Sequence, residues 1–170
     1  MAVFEIMALA AFVGLLAVSA WWDVTTMTIP NWVSIALTVL FPVFALINGM
    51  PLAQIGLHLA FGAGILVIGF LLFQINIMGG GDAKMIAAAA VWTGLGAFAP
   101  FIIWMAIFGG MIAMTLLMVR KKVRQGATQP AFVNRLLKPR GGVPYGVAIL
   151  AGGLMALHAL PFAATPLTTP

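Results

Sequence analysis

The 170-residue chain has no cysteine and only three acidic side chains, Glu5, Asp23 and Asp82. Without thiols there is no disulfide framework, no cysteine-ligated zinc site and no thiol nucleophile. Charged residues make up 6% of the chain, against about 25% in soluble domains, and mean hydropathy is +1.17. So little charge excludes a soluble domain with a core of its own. The chain reads as a single integral-membrane domain over residues 1–170, all-α, with the lipid bilayer as its first partner. The two histidines, His58 and His158, fall in separate apolar stretches, so they read as packing groups. No metal and no cofactor is expected. The net charge of +5 rests on a few clustered basic residues, and nucleic acid is not an expected partner. The N-terminus lacks a basic start, carries Glu5 and runs long enough to cross a bilayer, so it reads as a first span rather than a cleaved signal.

What is present is apolar sequence. A membrane span needs roughly 20 such residues, and the stretches predict about six spans, near 3–22, 32–49, 53–75, 83–99, 100–119 and 143–162. Gly94, Gly96 and Pro100 divide the fourth from the fifth, because one helix across both is too long for one crossing. The fourth contains Ala87, Ala88, Ala89 and Ala90 in a row, which suits a helix packed inside the bundle. Seven of the eight basic residues (Arg120, Lys121, Lys122, Arg124, Arg135, Lys138 and Arg140) fall between the last two spans. The positive-inside rule makes this loop, about 120–142, cytoplasmic. Counting back through alternating spans carries both Asp23 and Asp82 to the same side and leaves both termini outside. Within the loop, Phe132, Val133, Leu136 and Leu137 alternate with polar residues at helical spacing, which suits a short helix on the inner leaflet. A loop that only sets topology is the plainer alternative.

The two aspartates are the chemical signal. An ionisable group in or beside a bilayer is costly. Asp82 closes the run Gly79-Gly80-Gly81-Asp82. On the plain view it is a helix N-cap and the glycines only allow a turn. Glycines also let a substrate backbone come close, so Gly79, Gly80 and Gly81 are candidate substrate-binding positions. Asp23 follows the first span, where a helix C-terminus disfavours negative charge; its plain alternative is a solvated loop residue. Two carboxylates brought together cannot both ionise easily. One then acts as base on a water while the other, protonated, assists the leaving amine. This chemistry needs no metal, cysteine or serine. Asp23 and Asp82 are therefore the expected catalytic pair.

These residues, with Ile29-Pro30-Asn31 and the continuation Ala83-Lys84, resemble the type IV prepilin peptidases, polytopic aspartic proteases with a Gly-x-Gly-Asp signature. Gly141-Gly142-Val143-Pro144-Tyr145-Gly146 is similar to their C-terminal segment, particularly in the short members that process tight-adherence (Flp-type) pilins. The resemblance implies cleavage of a prepilin leader on the cytoplasmic face of the bacterial inner membrane, just before the pilin's hydrophobic helix. It implies Asp23 and Asp82 as catalytic, Gly79 and Gly81 as signature glycines, Lys84 beside them as a substrate-side residue or an inner-leaflet anchor, and Pro144 and Gly146 as residues that place the last helix near the site. Longer members carry a cysteine-bearing cytoplasmic domain linked to N-methylation. Its absence here argues against methyltransferase activity. The first loop, Val24 to Thr28, also lacks the basic residues common in the family.

Two other classes compete: a small proton- or ion-coupled transporter, since intramembrane carboxylates and glycine-broken helices serve transport too, and a non-catalytic platform for pilus or secretion assembly. The acids lie near one face rather than the midplane, and no inverted repeat is visible, which disfavours the transporter. A platform leaves the two isolated acids unexplained.

Overall fold

A computed structural model describes residues 2–123, 126, 129–139 and 141–162. Arg124 and Arg140 of the basic loop, and the chain ends, lie outside the described residues. Among the described residues there are helices and no strands: α1 (Ala2–Thr26), α2 (Asn31–Ile47), α3 (Leu52–Gln74), α4 (Gly80–Lys122), α5 (Ala131–Leu136) and α6 (Tyr145–Ala156), with a 3₁₀ turn at Leu157–Ala159. Three segments, Val3–Thr26, Leu52–Gln74 and Gly80–Lys122, are long and apolar enough to cross a membrane, and Asn31–Ile47 and Tyr145–Ala159 are shorter apolar helices.

Each helix buries a narrow stripe and leaves large apolar side chains exposed. In α1 the stripe is Ala8, Phe12, Leu16, Ser19, Ala20 and Asp23, spaced three or four apart as one helix face requires. In α2 it is Val33, Leu37, Phe41 and Ala45. Helix α3 touches the bundle through Ile55, Gly62 and Gly69, one seam at intervals of seven. Around that seam Leu57, Val67, Ile68, Phe70 and Leu71 are exposed, as a lipid-facing helix demands.

Helix α4 is the centre and packs along α2, α3 and α6. Unbroken, its 43 residues would reach about 65 Å, roughly twice the bilayer core. The chain breaks at Gly94, where φ is 54° and ψ is −168°, a combination essentially restricted to glycine. A side chain there would also strike the His58 ring, 2.5 Å from an added Cβ. The two limbs run in opposite directions. On the first, Ala83 lies against Gly69 and Val91 against Gly62. On the second, Phe101 and Met105 lie against Gly152, and Gly109 lies against Tyr145 at the start of α6. Sequence patterning places the division at 99/100; the structure places it at Gly94, because Pro100 is accommodated within the second limb as an interior helix residue.

Near the break sits the main aromatic cluster. Trp92 is fully buried and its indole N–H donates to the Leu37 carbonyl at 2.7 Å. Rings of Phe12, Phe41 and Phe162 surround it, at centroid distances of 5.3, 5.8 and 5.5 Å. His58 stacks on Phe41 and hydrogen-bonds the Val91 carbonyl at 2.7 Å, so it is a packing group. The other end of the bundle is polar.

Candidate active site

At the polar end, the last turn of α1, the first turn of α4 and the start of α6 converge. The first helix does not stop before Asp23 as the apolar pattern suggests. It continues to Thr26, where the hydroxyls of Thr25 and Thr26 hydrogen-bond the Trp21 and Trp22 carbonyls at 2.7 Å. Asp23 therefore stays on the buried stripe, only 7% exposed, and is not a solvated loop residue. Likewise Asp82 is not an N-cap. The helix begins at Gly80 with Gly79 as the capping residue and no side-chain cap bond, so Asp82 sits inside the first turn.

The start of α6 supplies a partner for Asp23. The first N–H groups of a helix lack partners within it. One of them, on Gly146, donates to Asp23 Oδ2 at 2.7 Å. Only glycine fits: an added Cβ at 146 would come within 2.9 Å of Asp23 Cβ and 3.1 Å of Ala20 Cα. At Gly79 an added Cβ would lie 2.8 Å from the Asp82 carboxylate, so a side chain there would turn that carboxylate aside.

Asp23 and Asp82 line one cavity of about 530 Å³. Gly79, Gly142, Tyr145, Arg135 and Lys138 also border it. Of the candidate substrate-binding residues, Gly79 alone lines this cavity. Gly80 packs towards Phe73 and Gly81 towards Ile29. Lys84, about 200° round the helix from Asp82, donates to Asn31 Oδ1 at 2.9 Å. It borders a separate apolar groove between α2, α3 and α4.

The basic loop lies across this end. Arg135 donates to the Thr25 carbonyl at 2.6 Å, at the C-terminus of α1, where a cation is favourable. Arg120 donates to the carbonyls of Leu136, Gly141 and Gly142 at 2.7, 2.9 and 2.7 Å. The short helix expected from Phe132, Val133, Leu136 and Leu137 is present as α5, Ala131–Leu136, with Leu137 as its C-cap. Sequence patterning does not reveal Arg135, Lys138 and Tyr145 as cavity residues. The signal available was the Gly-Gly-Val-Pro-Tyr-Gly segment, which marks where the last helix approaches.

A family model described as the type IV leader peptidase family matches residues 10–114, a span that contains both aspartates. No curated protein and no solved structure matches the chain.

Proposed function

Because the chain belongs to the type IV leader peptidase family, we propose that it is an aspartic endopeptidase that removes the leader of type IV, Flp-like prepilins, with Asp23 and Asp82 as its catalytic pair. The observation behind this is the shared cavity: two of the three acids in the chain come from helices far apart in sequence and border the same space.

In the reaction, one carboxylate takes a proton from a water held between the pair. The water oxygen bonds to the scissile carbonyl carbon. The protonated partner hydrogen-bonds the carbonyl oxygen, stabilising charge that develops there. Collapse of the tetrahedral species breaks the C–N bond, and the departing nitrogen receives a proton from a carboxyl group. Which residue begins protonated belongs to the pair rather than to either member. The Gly146 N–H holds one oxygen of Asp23 and so orients the carboxyl group. Gly79 keeps backbone, not side chain, beside Asp82.

We place the polar end at the cytoplasmic face of the bacterial inner membrane. In this topology α1, α2, α3, both limbs of α4 and α6 form six crossings, and both termini lie outside. The reversal at Gly94 supports this, because it returns Arg120 to the end that holds Asp82. The decisive experiment incubates purified protein in detergent with a prepilin and follows leader loss by mass. Cleavage by the wild type and none by Asp23→Asn or Asp82→Asn is expected. Undiminished cleavage by either variant rejects the pair.

A further inference from the structure

We propose that Arg120 is a positioning residue for leader cleavage, holding the entry to α6 so that Gly146 meets Asp23. This rests on the aspartic peptidase function proposed above. Arg120 does not itself border the cavity. Its guanidinium spans three backbone carbonyls: Nε to Leu136, Nη1 to Gly141 and Nη2 to Gly142, all within 2.9 Å. A planar fork with five N–H donors suits three spread acceptors; a lysine ammonium, a single point of charge, does not.

The local backbone is shaped for this grip. An added Cβ at Gly141 would lie 2.9 Å from the Lys138 carbonyl, so a side chain there would shift the backbone that carries the Gly141 carbonyl Arg120 grips. From Gly142, which borders the cavity, only Val143, Pro144 and Tyr145 intervene before Gly146. Pro144 is buried and its ring restricts φ, here −72°. The link is short and stiff, so the place of Gly142 sets the place of the Gly146 N–H. Asp82 and Arg120 are also parts of one element, α4, joined by the hairpin at Gly94. The helix that supplies one carboxylate thereby clamps the segment that orients the other.

The test is leader cleavage by the full chain in detergent, per folded enzyme, across pH. Asp23 shares its cavity with Asp82 from α4, Arg135 and Lys138 from the loop, and Tyr145 from α6, and all four remain in the Arg120, Pro144 and Lys121 variants below. Arg120→Lys keeps the charge that sets topology but loses the fork. Its rate at saturating substrate should fall roughly ten- to hundredfold, as misplaced catalytic groups do. Its pH–rate profile should shift, because the hydrogen bond at Asp23 is altered. Arg120→Ala should behave likewise and regain activity with added guanidinium ion. Pro144→Ala, which slackens the link without touching Arg120, should shift the profile in the same sense and keeps the test open if the Arg120 variants do not fold. Lys121→Ala, an exposed neighbour, should match the wild type. Wild-type rates in Arg120→Lys overturn the proposal. So does a loss that only tracks folded protein, with an unshifted profile and no rescue, or an unshifted profile in Pro144→Ala. Asp82→Asn runs in parallel: if it still cleaves, the catalytic pair is wrong, whereas an inactive Asp82→Asn beside a normal Arg120→Lys removes only the role of Arg120.

Discussion

Single side chains do separable work at the polar end. Asp23 is buried and held by a backbone donor, whereas Asp82 sits in the first turn of a helix. On the proposed mechanism each Asp→Asn change keeps shape and removes one proton-transfer group, so each should reduce leader cleavage by on the order of 10³-fold or more, measured as product per folded enzyme. Gly146→Ala is a steric counterpart. Its methyl group would meet Asp23 and Ala20 inside van der Waals distance. Overpacking of that kind costs about 1–3 kcal/mol and should appear as a lower unfolding temperature in detergent together with slower cleavage. Both aspartates are legible from scarcity alone, because a nearly acid-free chain has few reasons to keep them. Their partners are less legible. Arg135 and Lys138 look in sequence like ordinary inner-leaflet charges, and nothing in their spacing says that the loop folds over the carboxylates. The glycine run divides in the other direction: Gly79 borders the cavity, whereas Gly80 and Gly81 face neighbouring residues of the fold.

At the scale of an element, α4 decides the most. It supplies Asp82, the buried limb with Trp92, the reversal and the Arg120 clamp. Gly94→Ala should be strongly destabilising, because φ of 54° with ψ of −168° is hostile to a side chain and the His58 ring fills the space. About 1–3 kcal/mol is expected from backbone strain alone, read as a fall in thermal stability. Trp92→Ala should cost about 3–5 kcal/mol, as loss of a large buried aromatic does, and it also abandons the bond to Leu37. Hydropathy signals that a break exists, since no unbroken helix of this length fits one crossing. It does not choose among Gly94, Gly96 and Pro100. Proline in a helix suggests a boundary, yet a kinked helix tolerates it. The choice falls to the glycine whose position faces the His58 ring. The end of α1 is hidden for a related reason: Thr25 and Thr26 read as polar loop, but their hydroxyls bond back to carbonyls of the preceding turn, which lets the helix carry Asp23 inward.

For the whole molecule, the lack of native cysteine makes topology directly testable. In spheroplasts, Ala131→Cys on α5 should resist a membrane-impermeant maleimide until the membrane is opened. Leu52→Cys, exposed at the opposite end of the bundle, should react from outside at once. The reverse pattern overturns the proposed orientation. Composition, periodicity and charge clustering by themselves determined an all-helical chain with membrane-length apolar segments, the order of its helices and the two carboxylates worth attention. Those follow from local physics: a 3.6-residue repeat, the cost of stray charge in lipid and the length of a span. Only the tertiary structure decided that the carboxylates border one cavity, that Gly146 serves Asp23, and that the basic loop closes that end. Each of these contacts joins residues distant in the chain, and the packing of whole helices against one another, which no local pattern specifies, determines where they meet.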